Sequence, residues 1–470
     1  MKSVALHNLG CKVNSYEIEV MQQRLQEKGY EIVSFDQKAD IYIVNTCTVT
    51  NMADRKSRQM LHRAKQMNPE AVVVAVGCYV QTGQQAVESD TSVDLAIGNN
   101  RKKDIVEILE EYLRQRELQS DSAEPVSENL KTLGATTIPD INHTYEYEEM
   151  QLTQTAEHTR AYIKVQDGCN QFCSYCAIPY ARGRVRSRKA EDVLREVKGI
   201  VAKGYKEIVL TGIHISSYGI DFDSEAWERG ESKELGTGER PEYTGESKLI
   251  DLVEMLHEVE GVERIRIGSL EPRIVTEENA KRLANLSKVC PHFHLSLQSG
   301  CDATLKRMNR KYSAEEYYRS VEYLRAAFES PAITTDVIVG FPGETEEEFE
   351  TTKAFLEKIH FYEMHIFQYS KRAGTVAARM SDQVPEPVKK QRSAILLEME
   401  KRHSDEYRRR YIGKEAEVLL EERIEKDGQI YYLGHTKDYV KVAVPAGEGI
   451  GENTVVTVAV TGFFAEDILM

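Results

Sequence analysis

The sequence lacks any apolar run long enough to cross a membrane. No stretch approaches the ~18 consecutive apolar residues of a spanning helix. The first residues, MKSVALHNLGCKVN, also lack the apolar core and the small-residue cleavage site of a secretory signal. These absences predict a cytoplasmic protein with no membrane partner. Disulfides are rare in that reducing compartment, so the eight cysteines are better interpreted as metal ligands or catalytic groups.

An excess of positive charge is lacking as well. The 61 lysines and arginines are outnumbered by 76 acidic residues, which gives a net charge of −15 and argues against a general attraction for nucleic acid. The acidic excess is concentrated in residues 115–158, 221–248 and 413–470. Elsewhere the basic residues form local clusters, and any one of these taken alone is more often a solvated helix face than an RNA contact. The clusters lie at 55–58, 182–189, 306–311 and 408–410.

The length and the residue pattern predict several folded parts. A chain of 470 residues exceeds one ordinary domain of roughly 150 residues. Residues 1–114 alternate short apolar runs with helical patterns in the order βαβαβ, which predicts a doubly wound parallel sheet. Residues 115–154 are polar and poor in periodicity, and we predict a linker there.

The remaining residues predict a barrel followed by a small β-module. Residues 155–400 repeat strand and helix six times, which predicts a (βα)6 partial barrel with functional groups at the carboxyl ends of its strands. A Gly- and Glu-rich insertion at 219–247 predicts a mobile surface loop. Residues 401–470 change from a charged helix to short strands separated by glycines, as in small β-barrels that bind oligonucleotides. The predicted fold class is therefore α/β with a C-terminal β-barrel.

Three cysteines lie on one short loop after the first barrel strand. Cys169, Cys173 and Cys176 follow the spacing CxxxCxxC, which lets three thiolates hold one face of a four-iron cluster. Such a cluster has four irons to ligate, so one iron would stay open for a substrate or cofactor. Zinc is the alternative, but structural zinc takes four protein ligands, and this loop has no fourth cysteine or histidine.

Three further cysteines are dispersed along the N-terminal region. Cys11, Cys47 and Cys78 each come shortly after a predicted strand. The carboxyl ends of parallel strands share one edge of a sheet, so the three thiols can converge on a second cluster. Each one singly could be an ordinary buried cysteine, but three at equivalent positions favour a common site. Cys290 and Cys301 have no such partners and are predicted to be structural thiols.

These features resemble a known enzyme family. The CxxxCxxC loop is similar to that of the radical S-adenosylmethionine superfamily, in which the open iron binds S-adenosylmethionine and reductive cleavage yields a 5′-deoxyadenosyl radical. With the second cysteine set and the terminal module, nearly the whole chain resembles the radical methylthiotransferases, and residues 401–470 resemble a tRNA-gripping TRAM domain. The matching motifs are LGCKVN at 9–14, NTCTVT at 45–50, SLEP at 269–272, LSLQSG at 295–300 and DVIVGFPGE at 336–344.

The same motifs indicate a subgroup. LGCKVN and NTCTVT resemble the MtaB type, which acts on tRNA carrying N6-threonylcarbamoyladenosine. The alternatives are the isopentenyladenosine type, with YGCQMN, and the type that modifies an aspartate of a ribosomal protein, with LGCPKN. The resemblance implies methylthio insertion at C2 of the adenosine at position 37 of tRNA. It also implies two [4Fe–4S] clusters, S-adenosylmethionine, an electron donor and a sulfur donor.

The resemblance also implies roles for individual residues. The cysteines of the 169–176 loop would hold the cluster that cleaves S-adenosylmethionine, and the dispersed set would hold an auxiliary cluster with the sulfur to be transferred. Gly340 would let adenine pack against backbone because glycine lacks a Cβ. Each strand-end residue could alternatively just complete the barrel. The implied S-adenosylmethionine contacts are Thr211, Gly212, Ser269, Glu271, Gln298, Val339 and Gly340.

Two further expectations concern RNA and enzymatic activity. Because residues 413–470 are acidic, the basic runs at 401–402 and 408–410 are expected to carry the tRNA phosphate contacts. A non-enzymatic iron–sulfur RNA-binding protein would not need an open iron, so a fourth protein ligand near either cysteine set would favour it. The sequence offers none close to the loop.

Overall fold

The computed structural model describes residues 2–121, 130–133, 137–153, 159–222 and 247–470. Within these ranges no helix is both long enough and apolar enough to cross a membrane. Most of the predicted insertion at 219–247 lies outside the described residues.

The N-terminal part is a five-stranded parallel sheet in the order β2-β1-β3-β4-β5. Strands β3 and β4 are buried at every position, because helices cover both faces of the sheet. The predicted doubly wound sheet is confirmed. Its strands are β1 (Ser3–Asn8), β2 (Glu31–Val33), β3 (Ile41–Thr46), β4 (Val72–Gly77) and β5 (Leu95–Ile97); its helices are α1 (Lys12–Glu27), α2 (Asn51–Met67), α3 (Cys78–Thr82), α4 (Gln84–Ser89) and α5 (Ile105–Asp121).

The central part contains six parallel strands in chain order, as predicted. They form two three-stranded sheets, which the bridges Ile265–Val289 and Leu270–Leu295 connect. The fourth strand, with 3 residues, is the shortest of the six. The six strands are β6 (Ala161–Lys164), β9 (Glu207–Thr211), β10 (Arg264–Ile267), β11 (His292–His294), β12 (Ala332–Val339) and β13 (Glu363–Gln368), with a short hairpin of β7 (Gln166–Asp167) and β8 (Arg186–Ser187).

Helices cover the outside of this partial barrel. Those starting at Ala314 and Glu346 begin with capping boxes, in which a Ser or Thr side chain and a Glu side chain satisfy each other's backbone N–H groups. The helices are α6 (Ile178–Arg182), α7 (Ala190–Ala202), α8 (Lys248–His257), α9 (Glu277–Ala284), α10 (Asp302–Arg307), α11 (Ala314–Ala327), α12 (Glu346–Ile359) and α13 (Glu386–Arg409).

The C-terminal module is a six-stranded mixed sheet in the order β17-β14-β15-β16-β19-β18. The proposed domain boundary at residue 400 falls inside α13, which packs against β13 and leads directly into the module. The strands are β14 (Glu415–Lys426), β15 (Gln429–His435), β16 (Lys441–Pro445), β17 (Val455–Ala459), β18 (Phe463–Ala465) and β19 (Ile468–Leu469).

The described parts of the predicted linker belong to the packed structure. Helix α5 extends to residue 121, and Met150 and Leu152 are buried in the core that the N-terminal sheet shares with the barrel. Tyr16 Oη donates a hydrogen bond to Met150 O at 2.6 Å. These apolar residues sit in irregular backbone without a helical or strand period, so periodicity did not reveal their burial.

Candidate active site

The loop of Cys169, Cys173 and Cys176 is held tightly at its base. Gly168 has φ +70°, and a Cβ there would lie 1.7 Å from Arg184 O, so only glycine fits. Cys169 N donates to Gly183 O at 3.0 Å, and Cys176 N donates to Cys173 O at 2.9 Å. The backbone therefore curls so that all three thiols, each partly exposed, can face one ligand.

The electrostatics of this loop fit a metal cluster. Burial raises the pKa of Cys169, and burial together with the charge of Cys173 raises the pKa of Cys176 to about 12. Metal binding therefore has to release the protons of Cys169 and Cys176. Arg310 Nη1 donates to Cys173 Sγ at 3.4 Å, so a positive charge lies beside this sulfur. Three thiols and a nearby cation fit an iron–sulfur cluster with one iron free of cysteine.

The dispersed cysteines meet at one edge of the N-terminal sheet. Cys11 caps α1 directly after β1, Cys47 follows β3, and Cys78 is the first residue of α3 after β4. Gly10 has φ +109°, and a Cβ there would lie 3.0 Å from Cys47 Sγ, so the Cys11 turn rests on Cys47. Burial, with the charges of Cys78 and Cys11, raises the pKa of Cys47 to about 11. The structure thus brings the three together.

Arg182 connects this set to the other loop. It is the last residue of α6, which begins two residues after Cys176, and it is fully buried. Its Nε donates to Cys78 Sγ at 3.3 Å, and its Nη1 contacts Glu17 Oε1 at 2.6 Å and Asp167 Oδ2 at 3.2 Å. Asn99 Nδ2 also donates to Cys78 Sγ at 3.5 Å.

Arg372 makes a second connection. Its Nη1 lies 2.9 Å from Asp54 Oδ2, and its Nη2 donates to Thr48 Oγ1 beside Cys47. The charge of the same guanidinium acts on Cys176, where it opposes the rise in pKa. Both cysteine sets therefore lie on one interface between the N-terminal sheet and the barrel.

Comparisons with known proteins show the family of the chain. The Radical SAM superfamily model matches residues 163–356, and the Uncharacterized protein family UPF0004 matches residues 3–98. The threonylcarbamoyladenosine tRNA methylthiotransferase MtaB of Bacillus subtilis is 39% identical over 98% of this chain and 95% of its own. The chain belongs to the radical S-adenosylmethionine methylthiotransferase family. As a member, it is an enzyme that uses S-adenosylmethionine and [4Fe–4S] clusters.

Other relatives lie within the same family. The MtaB of Thermotoga maritima is 37% identical over 96% of this chain and 93% of its own. A tRNA-2-methylthio-N(6)-dimethylallyladenosine synthase of Thermoanaerobacter is 34% identical over 88% of this chain and 81% of its own. Among solved structures, the radical methyltransferase TsrM of Kitasatospora setae aligns with a TM-score of 0.53 at 16% identity, covering 78% of this chain and 73% of its own. That likeness concerns the fold alone.

The residues that the family resemblance assigned to S-adenosylmethionine lie at the carboxyl ends of the barrel strands. Thr211 ends β9, Ser269 follows β10, and Val339 ends β12. Ser269 is exposed, whereas Thr211 and Gln298 are buried. Gln298 has φ +73°, and its N–H donates to Asp336 O at 2.8 Å. These positions fit cofactor contacts, which stay a prediction.

Glu271 is the charged member of that group. Arg273 binds its carboxylate with two hydrogen bonds, of 2.7 and 2.9 Å, and His214 Nε2 lies 3.6 Å away. Burial alone would raise the pKa of Glu271, but the Arg273 hydrogen bond and nearby cations lower it. An ionised carboxylate at this edge is suited to an ammonium group.

The glycines of the group have packing reasons of their own. Gly340 has φ +69°, and a Cβ there would lie 2.3 Å from Lys389 Cγ. Helix α13 therefore requires this glycine, whether or not adenine lies on its other side. A Cβ on Gly212 would lie 2.8 Å from Gln166 Oε1.

The basic run at 182–189 is not a solvated face. Arg182, Arg186 and Arg188 are fully buried, and Arg188 pairs with Glu196. The interpretation as solvated helix was wrong because the acidic partners are distant in sequence. The basic runs at 401–402 and 408–410 have acidic neighbours as well. Arg402 lies 2.6 Å from Glu357, and Arg408 lies 3.0 Å from Glu363.

Sequence reasoning also missed the polar lining of the barrel. His294 Nδ1 lies 3.0 Å from Thr334 Oγ1, its Nε2 lies 3.3 Å from Asp336 Oδ2, and His365 is close by on the next strand. Alternating polar residues along β11 and β12 were the available signal. Both ring nitrogens of His294 thus already have partners within the sheet.

The C-terminal module closes the amino end of the barrel. Tyr439 stacks on His292 with ring centroids 4.9 Å apart, and Arg266 lies 4.7 Å from the centre of the same ring. Arg266 Nη1 also donates to Lys437 O at 3.0 Å. The C-terminal module therefore packs on barrel strands β10 and β11 at the end of the barrel opposite the Cys169 loop.

Proposed function

We propose that this enzyme adds a methylthio group to C2 of N6-threonylcarbamoyladenosine at position 37 of tRNA. Cys169, Cys173 and Cys176 would hold one [4Fe–4S] cluster, and the three dispersed cysteines would hold the second. The observation that carries the proposal is the convergence of two separate three-thiol sets on one interface, joined by Arg182 and Arg372. The identity to MtaB relatives over nearly the whole chain supports the substrate.

The chemistry requires a cofactor because the C2–H bond of adenine resists acid–base catalysis. S-adenosylmethionine and the clusters, when bound, supply a carbon radical, a sulfur atom and a methyl group. The protein binds and orients these groups. Glu271 would hold an ammonium group, and Arg310 and Arg182 each donate to a cysteine sulfur. An electron donor and a sulfur donor are needed as partners for repeated turnover.

The protein has a basic surface beside Cys47 that would bind the tRNA. Helix α2 begins four residues after Cys47, and its Arg55 and Lys56 are exposed. Within the described residues neither side chain makes a hydrogen bond or ion pair, so both are available for phosphates. Val49 and Met52, both about half exposed, extend this surface toward Cys47.

Mass spectrometry of tRNA nucleosides tests the proposal. Cells with and without the gene are compared, and cells carrying Cys173→Ala serve as the control for protein presence. We expect the 2-methylthio form of threonylcarbamoyladenosine to disappear in both deficient strains, with the isopentenyl nucleosides unchanged. Loss of the methylthio isopentenyl form instead would assign the other tRNA subgroup. Unchanged tRNA with loss of a methylthio aspartate in a ribosomal protein would exclude a tRNA substrate.

A further inference from the structure

Lys12 is a charged side chain next to Cys11, and no carboxylate of the described residues pairs with it. It follows Cys11 and is the first residue of α1, whose helix packs against β6 of the barrel. Lys12 is accessible to solvent, and its ammonium group makes no hydrogen bond or ion pair within the described part of the chain. It interacts electrostatically with Arg160, Arg266 and Glu207, which lie beside or on strands β6, β10 and β9, so the ammonium group is near the barrel.

The neighbouring cations each pair with a carboxylate, whereas Lys12 has no such pair within the ranges that the structure describes. Arg266 Nε lies 2.7 Å from Glu207 Oε1, and Arg160 Nη2 lies 3.2 Å from Glu421 Oε2. Each of these pairs balances its own charge. The Lys12 ammonium is therefore a surplus positive charge in a partly enclosed space, where an anion is stabilised more strongly than in open water.

A second observation also points to a polar ligand near Lys12. His292 on β11 is 92% buried, yet its Nδ1 has no hydrogen-bond partner among the described residues. Its ring stacks on Tyr439 of the C-terminal module, and it interacts electrostatically with Lys12. Buried polar atoms normally find a partner, so a polar ligand that reaches His292 would satisfy this nitrogen.

The chemistry of the proposed substrate fits a cation at this position. In adenine, C2 and the substituent on N6 lie along the same Watson–Crick edge. A sulfur delivered to C2 from the site of Cys11 therefore brings the N6 substituent close to the residue that follows Cys11. A threonylcarbamoyl group carries a carboxylate and a hydroxyl group, whereas an isopentenyl group carries no charge.

We propose that Lys12 binds the carboxylate of the N6 substituent and so selects threonylcarbamoyladenosine. This inference rests on the proposed function, because it assumes that C2 of the modified adenosine is the reacting atom. A lysine–carboxylate contact in a partly enclosed site contributes about tenfold to a hundredfold in affinity.

Equilibrium binding tests the contact without turnover. The holoenzyme with S-adenosylmethionine but no reductant is titrated with three anticodon stem–loop RNAs of one sequence, bearing adenosine, isopentenyladenosine or threonylcarbamoyladenosine. We expect the threonylcarbamoyl RNA to bind at least about tenfold more tightly than the other two. Lys12→Gln should abolish that preference and leave the affinity for plain adenosine RNA unchanged, and Lys12→Arg should restore part of it.

The control is Lys38→Gln. This exposed lysine precedes β3, at the amino ends of the strands and away from the cysteines. It should bind all three RNAs as the wild type does. If Lys12→Gln keeps the preference, or weakens all three RNAs alike as loss of a phosphate contact would, the inference is wrong. Iron content is measured on each variant to verify that the clusters are intact.

Turnover separates this inference from the proposed function. If the wild type does not methylthiolate threonylcarbamoyl RNA, the proposed function fails. If the wild type does so and Lys12→Gln reacts with the same kcat/KM, the proposed function stands and the role of Lys12 fails.

Discussion

Arg182 Nε donates a hydrogen bond to Cys78 Sγ across 3.3 Å. The arginine belongs to the helix that follows one cysteine loop, and the cysteine belongs to the other set. This contact makes the position of one predicted cluster depend on the fold around the other. It also places a positive charge beside Cys78 Sγ, where it would stabilise the reduced, more negative form of a bound cluster.

Arginine contacts should therefore tune the two clusters separately. Arg182→Met should lower the reduction potential of the cluster held by the dispersed cysteines by on the order of 50 mV. Arg310→Met, which removes the donor to Cys173 Sγ, is the matched variant for the other cluster. Redox titration followed by electron paramagnetic resonance measures both potentials.

Each variant should shift one potential and leave the other in place. Arg182→Lys keeps the charge and should shift the potential of the same cluster less than Arg182→Met does. It also serves as a control for a loss of structure in Arg182→Met. If both variants shifted the same cluster, the assignment of the two arginines would be wrong.

Glu17 should be a major contributor to stability at neutral pH. Its carboxylate contacts Arg182, Lys102 and Lys164 with all four side chains buried. Burial alone would raise the pKa of Glu17, but these cations hold it well below its usual range. Glu17→Gln leaves the cations underbalanced and should cost about 3–5 kcal/mol of unfolding free energy, measured by urea denaturation at pH 7.

The pH dependence of this effect has a defined sign. A carboxylate whose pKa is depressed by folding stabilises the protein above its unfolded-state pKa, about 4.3 for Glu, and loses that contribution as pH falls further. The difference in unfolding free energy between wild type and Glu17→Gln should therefore decrease as the pH falls below about 4. Glu110→Gln, which removes an exposed pair with Lys28 at 3.5 Å, should cost under about 1 kcal/mol. Equal costs for the two variants would contradict the role of the buried network.

The exposed cations of α2 should bind tRNA through phosphates. Arg55→Ala with Lys56→Ala should weaken tRNA binding regardless of the base at position 37. It should also reduce the slope of log affinity against log salt by about 1–2, since each lost phosphate contact lowers the slope by about 1. Filter binding at several salt concentrations measures this. Lys38→Gln serves again as the control. An unchanged slope in the double variant would show that Arg55 and Lys56 do not contact tRNA phosphates.

Metal analysis tests the cluster assignment independently of activity. The wild type should contain about eight iron and about eight sulfide per chain, because two four-iron clusters are expected. Cys47→Ala and Cys173→Ala should each retain about half. Zinc with little iron would contradict the assignment of both cysteine sets as iron–sulfur sites.

The sequence predicted the cysteine positions well, and the reason is topological. Cys11, Cys47 and Cys78 follow strands whose buried apolar runs are easy to recognise, and parallel topology brings their ends together. The six barrel strands were found in the same way. The end of the short fourth strand could not be predicted, because the residues from Leu295 to Gln298 join the sheet only through isolated bridges.

The residues that connect the two sites could not be predicted. Arg182 pairs with Glu17, 165 residues away, and Arg372 reaches Thr48 across 324 residues. No local pattern marks such pairs, and a run of alternating arginines looks the same whether it is buried or solvated. Lys12 appeared in the sequence only as part of a motif, and its place near the barrel depends on how α1 packs against β6.

The central claim is that one cysteine set serves S-adenosylmethionine cleavage and the other serves methylthio transfer. One experiment tests this claim most directly. Reconstituted wild type, Cys173→Ala and Cys47→Ala are incubated with S-adenosylmethionine, reductant and threonylcarbamoyl tRNA, and both 5′-deoxyadenosine and the methylthio nucleoside are quantified by mass spectrometry. Cys173→Ala should form neither product, whereas Cys47→Ala should form 5′-deoxyadenosine at close to the wild-type rate and no methylthio nucleoside. Methylthio product from Cys47→Ala would contradict the account.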